Sequence, residues 1–211
     1  MSQRTLPAGF IAPCLPIKTD RLPSSREWLH EIKHDGFRVI ARKEGARVRL
    51  YSRPGNDLTH RFPLIVETLL RLRSRSCIID GEAVACDDKG IASFNIVRYR
   101  RNDERIFLYA FDIIELNGDD LRRDPLEGRK AKLEMMLGKA ASGIRFNEHM
   151  DGDGETVFRH ACKLGFEGIV SKRLGSPYVS GRSRHWVKSK NPAAPAMKRE
   201  AEEDWGKRRW G

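Results

Sequence analysis

The alternation of hydrophobic and polar residues predicts short strands and an amphipathic helix in the first half of the chain. Residues 28–32 are typical of a strand. Apolar and polar positions alternate in 37–43 and 46–53, on either side of Glu44-Gly45, which predicts a hairpin. From Phe62 to Leu70 the apolar residues recur at helical spacing, which predicts an amphipathic helix.

The second half mixes further strands and helices. Strands are predicted at 77–79, 106–116, 167–173 and 186–190. Helices are predicted at 126–137 and after an N-cap within the acidic stretch 151–155. That stretch also resembles a calcium loop, but the late bidentate glutamate is absent, so the helix cap is preferred. Because strands and helices do not alternate regularly, the pattern favours an α+β fold.

The composition indicates a core-forming protein with a polyanionic partner. Of 211 residues, 39% are hydrophobic, which is enough for a packed core. The 40 Lys and Arg exceed the 29 Asp and Glu, giving a net charge of +11. Such an excess favours nucleic acid, nucleotide phosphates or an anionic membrane; a merely soluble basic protein is the alternative. No apolar run approaches the ~18 residues of a membrane span, so we expect no membrane.

The cysteines and the N-terminus favour a reducing cytosol. Cys14, Cys77, Cys86 and Cys162 are scattered, as free thiols are. The first residues lack a basic start followed by an apolar core, so no signal peptide is expected. The six histidines form no Cys/His cluster with zinc spacing.

The stretch 31–38, Glu-Ile-Lys-His-Asp-Gly-Phe-Arg, carries the first chemical signal. Lys33 lies beside a carboxylate, a glycine and an arginine, an arrangement that suits a nucleophilic lysine. Such a lysine attacks only as the free amine, and neighbouring cations and desolvation help to remove its proton. Alone the signal is weak, because a strand end followed by an Asp-Gly turn explains it equally well.

Four further segments follow in order, each pairing a strand end with charged groups. They are 51–55 (Tyr-Ser-Arg-Pro-Gly), 79–84 (Ile-Asp-Gly-Glu-Ala-Val), 109–114 (Tyr-Ala-Phe-Asp-Ile-Ile) and 166–173 (Phe-Glu-Gly-Ile-Val-Ser-Lys-Arg), the last followed by Trp186, Lys188 and Lys190. Their order and spacing resemble the covalent nucleotidyltransferase superfamily. Within it, residues 25–191 resemble the nucleotidyltransferase (adenylation) domain of ATP-dependent DNA ligases, particularly the bacterial end-joining type.

The resemblance implies how the reacting groups are used. Lys33 would attack the α-phosphate of ATP and hold AMP through a phosphoramide bond. Glu82 and Glu167 would be ligands of Mg²⁺, directly or through water, and Glu82 would also meet the ribose. Catalysis by such enzymes is mostly positioning and charge stabilisation.

It also implies a set of nucleotide-binding residues. Arg38 and Arg53 would contact the sugar and phosphates, either of the nucleotide or of the nick. Phe111 would stack on adenine, and Glu31 would accept the adenine amino hydrogen. Lys188 and Lys190 lie at period two on one strand, so both ammonium groups can reach one triphosphate.

Each of these positions also has a structural interpretation when taken alone. Phe111 could be a core residue, Glu82 a surface hairpin charge, Asp35 a turn former, Asp80 a support for its loop and Lys172-Arg173 a solvated edge. Their common order favours the catalytic interpretation for Lys33, Glu82, Glu167, Lys188 and Lys190. No catalytic role is predicted for His34, which occupies the variable position of the first segment.

The match is incomplete after residue 190. Ligases of this family carry an OB-fold domain there, and residues 191–211 are too few for a five-stranded barrel. We therefore expect a ligase-core fold with antiparallel sheets flanked by helices and lacking the C-terminal OB-fold. The predicted divisions are an extended lead-in (1–24), the adenylation domain (25–191) and a charged tail (192–211), which is either a short helix packed by Trp205 or loose. A stand-alone enzyme, a truncated chain and a remnant acting with a partner all remain open.

The leading hypothesis is an ATP- and Mg²⁺-dependent DNA ligase catalytic domain that seals nicks in DNA repair. Nicked double-stranded DNA is the expected partner, with an OB-fold domain or a partner repair protein acting in trans. A monomer associated with the nucleoid of a bacterial cytoplasm is expected. If the OB domain is missing, the chain should seal a pre-adenylated nick better than an ordinary nick with ATP. The alternatives are an RNA ligase, a GTP-using capping-type nucleotidyltransferase, or a catalytically weak DNA-binding accessory module.

Overall fold

A computed structural model of the protein describes residues 9–87, 90–99, 105–138 and 142–195. The strands are β1 (Cys14–Lys18), β2 (Trp28–Ile32), β3 (Phe37–Glu44), β4 (Arg47–Ser52), β5 (Ser76–Val84), β6 (Phe107–Leu116), β7 (Asp119–Asp120), β8 (Ile144–Phe146), β9 (His149–Met150), β10 (Gly168–Arg173) and β11 (Gly181–Lys190). The helices are α1 (Pro63–Arg71), α2 (Phe94–Arg98), α3 (Leu126–Leu137) and α4 (Gly154–Lys163), and a 3₁₀ turn spans Thr59–Arg61.

The strands form two mixed sheets in which most neighbours are antiparallel. The first sheet has the order β1-β11-β10-β2-β9, and β1 runs parallel to β11. The second has the order β4-β3-β5-β6-β7, with β8 added parallel to β6. No OB barrel occurs among the described residues. The predicted α+β ligase-core class is confirmed.

Both faces of the second sheet are buried. One face packs with helices α1 and α3 in a large apolar cluster that includes the alternating positions Val39 and Ala41. The other face meets the first sheet through a smaller cluster in which Ile40 and Phe111 contact the region of Trp186. The two sheets therefore enclose an apolar seam, and the predicted site residues lie along it.

The predicted elements agree with the structure at most positions. The hairpin and the helix α3 are confirmed, and Asp153 caps α4 by accepting from the Thr156 backbone N–H at 3.0 Å. The last strand is longer than predicted, since β11 starts at Gly181. The strand β1, within the predicted lead-in, was not anticipated because Pro13 just before it and Pro16 inside it obscure a strand pattern.

The division into lead-in, domain and tail stays a prediction. The tail helix predicted around Trp205 lies outside the described residues. Of the helices that the structure describes, none has the length and apolarity that crossing a membrane requires.

Candidate active site

Lys33 lies just beyond the end of β2. Its backbone N–H donates to the carbonyl of Gly168 at 2.9 Å, which continues the antiparallel pairing of β2 with β10. This pairing brings Lys33 Nζ within 2.6 Å of Glu167 Oε2, although the residues are 134 positions apart. The Lys33 side chain is 22% exposed and that of Glu167 only 5%, so the ion pair is shielded but reachable.

A close approach of β10 to β11 brings a second lysine to Glu167. Gly168 has φ +145°, and a Cβ there would lie 2.1 Å from the carbonyl oxygen of Ser189, so only glycine fits. Lys190 lies opposite Gly168 in the ladder, and its Nζ is 3.6 Å from Glu167 Oε1. Each Glu167 oxygen thus faces one ammonium group.

Glu82 lies near the C-terminal end of β5, between Arg38 on β3 and Tyr109 on β6. The pKa of Glu82 is raised to about 7, chiefly by burial, which outweighs the lowering effect of Lys33 and Arg38; the Glu167 and Asp80 carboxylates add to the rise. A carboxyl group near neutrality changes its charge readily when a cation arrives.

Arg38 is held by a bidentate pair with Asp80. Its Nε and Nη2 donate to the two Asp80 oxygens at 2.6 and 2.7 Å, and Nη2 also donates to the Cys14 carbonyl at 2.8 Å. The Tyr178 hydroxyl donates to Asp80 at 2.6 Å. Asp80 therefore orients Arg38, whose guanidinium lies 4.5 Å from the Phe111 ring centroid. The predicted contact of Arg38 with a nucleotide stays a prediction.

Two cavities meet at Lys33. The inner cavity, of about 70 Å³, is lined by Pro16, Glu31, Ile32, Lys33, His34, Arg38, Glu82, Phe111, Asn147, Val170, Lys172 and Trp186. The basic cleft, of about 420 Å³, is lined by Leu15, Pro16, Ile17, Lys18, Lys33, Arg38, Arg53, Glu82, Arg182 and Lys188. Because Lys33, Arg38 and Glu82 line both, these side chains stand where the two spaces join.

The basic cleft has the charge that a polyphosphate requires. Arg53, on the turn after β4, and Lys188, on β11, line it together with Arg182. Glu82 is the one acidic residue in its lining. On the same strand, Lys190 Nζ lies near Glu167 Oε1. The predicted sharing of one triphosphate by Lys188 and Lys190 stays a prediction.

Glu31 is engaged inside the protein. Its two oxygens accept from Lys130 Nζ at 2.5 Å and from Lys172 Nζ at 2.7 Å, and the Asn147 amide lies at 3.3 Å. Although burial opposes ionisation, these two ammonium groups hold the pKa of Glu31 below its usual value. The predicted bond from an adenine amino group to Glu31 would compete with these contacts and stays a prediction.

Phe111 combines the two roles that the sequence left open. It is 8% exposed and belongs to the apolar seam, and it also lines the inner cavity. Lys172 Nζ lies 4.4 Å from the Phe111 ring centroid and 4.0 Å from that of Trp186. Since Lys172 is 1% exposed, its interpretation as part of a solvated edge was wrong. Burial lowers the pKa of Lys172 to about 8 despite the nearby Glu31.

Sequence reasoning missed several residues that shape the site. They are Lys130, Asn147 and Arg182, together with Trp186 in its role as a residue that lines the inner cavity. Lys130 did leave a signal, because it shares a buried helical stripe with Leu126, Leu133 and Leu137. A lysine on such a stripe needs a buried carboxylate, and Glu31 supplies it. Asn147 left no comparable signal.

The donor set suits a magnesium ion that is shared with a substrate. Mg²⁺ is usually held by one or two carboxylates together with water and phosphate oxygens, and Glu82 and Glu167 both lie beside Lys33. The Glu167 carboxylate contributes to the raised pKa of Glu82. Within the described residues no group of three or more His, Cys, Asp or Glu side chains forms a complete metal cage. The assignment of Glu82 and Glu167 as ligands stays a prediction.

Comparison with known proteins identifies the family. A family model described as "ATP dependent DNA ligase domain" matches residues 16–190. The multifunctional non-homologous end joining protein LigD of Pseudomonas aeruginosa is 38% identical over 185 residues, which cover 86% of this chain and 22% of LigD. DNA ligase 1 of Korarchaeum cryptofilum is 34% identical, over 85% of this chain and 36% of that protein.

A solved structure supports the same assignment. The structure described as mycobacterial DNA ligase D complexed with ATP and MES is 33% identical and superposes with a TM-score of 0.75, covering 85% of this chain and 60% of that one. This chain spans about a fifth of the length of the Pseudomonas LigD protein and about a third of the archaeal ligase. Its predicted resemblance is confirmed: the chain belongs to the ATP-dependent DNA ligase domain family and carries a ligase catalytic domain.

Proposed function

We propose that the chain transfers adenylate from ATP to nicked double-stranded DNA through Lys33. The observation that carries this proposal is the position of Lys33, paired with Glu167 where an apolar cavity joins a basic cleft. The inner cavity, with Phe111 and Trp186 in its walls, would take the purine base. The basic cleft, with Arg53, Arg182 and Lys188, would take the phosphates.

The chemistry follows from these positions. The Lys33 amine attacks the α-phosphorus, a P–N bond forms, and the bond to pyrophosphate breaks. The amine must first lose a proton, and Glu167 Oε2, at 2.6 Å, is placed to receive it. A DNA 5′-phosphate oxygen then displaces the lysine, and a 3′-hydroxyl finally displaces AMP and seals the nick. Glu82 and Glu167 would hold a Mg²⁺ that neutralises phosphate charge.

Several parts of this proposal go beyond family membership. The use of Mg²⁺, a role in repair by end joining, a partner domain or protein in trans, and a monomeric state in the bacterial cytoplasm are proposed on the strength of the ligase family and the +11 charge. DNA binding by such a surface should weaken steeply as salt rises, because each phosphate contact releases a counterion.

The test is the covalent adduct. The protein is incubated with labelled ATP or GTP and Mg²⁺, and an acid-labile, protein-bound label is sought. An ATP adduct that transfers to a nicked duplex supports the proposal. A GTP adduct would support the capping-type alternative, and transfer to nicked RNA alone would support an RNA ligase. DNA binding without any adduct would support an accessory module and contradict the proposal.

A further inference from the structure

A thin wall separates the inner cavity from a third space, which we call the aromatic cleft. Ile32, His34 and Asn147 line both spaces. The aromatic cleft has a volume of about 790 Å³, and Tyr109, Phe166 and Met150 are among its other lining residues. Ile32 and His34 flank Lys33 in the sequence, and all three residues of the wall line the inner cavity, so a base held there beside Lys33 lies near the wall.

The His34 ring is fixed by contacts on several sides. It stacks on Tyr109 with centroids 3.9 Å apart and planes 8° from parallel, and it meets the edge of Phe166 at 6.4 Å. Its Nε2 lies 3.0 Å from Asn147 Oδ1. A ring held in this way keeps one position, so it acts as a rigid barrier.

The Asn147 contacts also define the state of His34. The Asn147 amide nitrogen faces two acceptors, Glu31 Oε2 at 3.3 Å and the Ile32 carbonyl at 3.4 Å. Its Oδ1 must therefore face His34, so His34 Nε2 carries a proton and donates it. Burial lowers the pKa of His34 to about 4, which keeps the ring neutral and the wall unchanged across physiological pH.

We infer that His34 is a specificity-determining residue that limits the inner cavity to an unsubstituted purine base. When the imidazole ring of His34 is removed, the aromatic cleft behind it accepts an apolar group attached to the edge of the base. This inference rests on the proposed binding of the base in the inner cavity. The lining of the aromatic cleft suits an aryl group, because Tyr109 and Phe166 offer ring faces and edges.

The experiment is a competition within one tube. Wild-type protein and His34→Ala are each given equal ATP and N6-benzyl-ATP, and in a parallel tube ATP and 2-benzylthio-ATP. Intact-protein mass spectrometry then measures the ratio of the two adducts. We expect His34→Ala to raise the analogue-to-ATP ratio by at least ~10-fold for one analogue, a size typical of relieving a steric block in a pocket. The responding analogue identifies the base edge that faces the wall.

Matched variants separate size from other effects. His34→Leu keeps a bulky side chain and should retain the wild-type ratio, whereas Met150→Ala enlarges the aromatic cleft beyond the wall and should also leave the ratio unchanged. If His34→Ala folds poorly by thermal unfolding, His34→Ser provides the same opening. If the analogue-to-ATP adduct ratio stays at the wild-type value for both analogues in His34→Ala and His34→Ser, the inference is overturned. It is also overturned if Met150→Ala raises that ratio as much as His34→Ala does.

The inference and the proposed function fail in distinguishable ways. An absent ATP adduct in the wild-type protein would overturn the role of Lys33. The wall is then tested by equilibrium binding of AMP against N6-benzyl-AMP and 2-benzylthio-AMP, which needs no reaction. If His34→Ala gains affinity for one analogue relative to AMP, the role of His34 as a wall is still supported. If the affinities relative to AMP are the same in His34→Ala and in the wild-type protein, that role is overturned.

Discussion

The two spaces that meet at Lys33 are built in opposite ways. Around the inner cavity the charges are buried and paired with one another, as Glu31 is with Lys130 and Lys172. Around the basic cleft, cations from separate strands and turns face a shared open space with few acidic neighbours. The charges around the inner cavity are thus neutralised within the protein, whereas the cations of the basic cleft are arranged to bind the negative charge of a ligand.

This difference separates stability from activity. Removing one partner of a buried ion pair leaves the other charge unsatisfied and destabilises the fold. Removing a cation from an open cleft should change little in the folded state but should weaken the binding of phosphates. Substitutions at the two ends should therefore have opposite signatures. Lys33, at the junction, should affect chemistry far more than stability, because Glu167 keeps Lys190 as a second cationic partner.

The largest effect is expected at the junction. Lys33→Ala should abolish the covalent adduct, because no other group is placed to form the P–N bond, while thermal unfolding changes little. Lys33→Arg should fail as well, since a guanidinium stays protonated. Incubation with labelled ATP, followed by denaturing gel electrophoresis without acid treatment so that the acid-labile P–N bond survives, measures the adduct. Wild-type adduct levels in Lys33→Ala would rule out the assignment.

A matched pair of lysine substitutions tests the contrast directly. Lys130→Met should lower the free energy of unfolding by on the order of 3–5 kcal/mol, because it removes one of the two cations that neutralise buried Glu31. Lys188→Met should lower it by less than about 1 kcal/mol but should reduce adduct formation at limiting ATP. Urea unfolding and an ATP titration measure the two quantities. Equal losses in the free energy of unfolding for the two variants would show that Lys188 stabilises the fold as much as Lys130 does.

Loss of Glu167 should reduce the rate strongly without abolishing it. Glu167→Ala removes the group that faces both Lys33 and Lys190, and loss of such an electrostatic group costs on the order of 10²-fold or more. Single-turnover adduct formation across a Mg²⁺ titration gives the rate. Glu155→Ala, on the exposed first turn of α4, is a suitable control. A Glu167→Ala rate equal to wild type would remove this residue from the catalytic machinery.

The smallest expected effect is a pH dependence set by Glu82. Its pKa in the folded protein is about 7, above the usual carboxyl value. Below pH 7 a Mg²⁺ ion must displace the proton on Glu82, so the apparent Mg²⁺ affinity should fall by about tenfold for each pH unit below 7. Above pH 7 the affinity should level off. Glu82→Gln should flatten this profile while lowering overall affinity. An unchanged profile in Glu82→Gln would assign the titration to another group.

The same raised pKa affects stability with a definite sign. Between the usual carboxyl pKa and pH 7 the folded protein keeps a proton that the unfolded chain has lost. The folded state therefore loses stability relative to the unfolded state as pH rises through that window. Glu82→Gln should remove this slope from the free energy of unfolding.

The sequence predicted the parts of the structure that depend on local pattern. The hairpin, the helix from 126 to 137 and the Asp153 cap follow from periodicity and turn chemistry over a few residues. The order of charged strand ends also predicted the family. The structure pairs Lys33 with Glu167 and brings Glu82 to the same cavities as Lys33, while the roles of these residues stay predictions.

What the sequence could not show depends on contacts between distant segments. Lys130 and Glu31 are 99 positions apart, and Asn147 lies 113 positions from His34. No local pattern encodes such pairs, because a buried charge looks like a surface charge until its partner is known. The strand β1 was missed for a related reason, since its partner β11 lies at the other end of the domain.

The pairing of β1 with β11 has a consequence for how the protein is made. Cys14 lies beside Gly181 and Lys18 beside Lys188, so the sheet that carries Lys33 closes only after β11 has emerged from the ribosome. Contacts of such long sequence separation form late and slowly, because a long loop must be ordered first. The second sheet has mostly neighbouring partners and can fold during synthesis. The surroundings of Lys33 are therefore completed later than the second sheet that supports them.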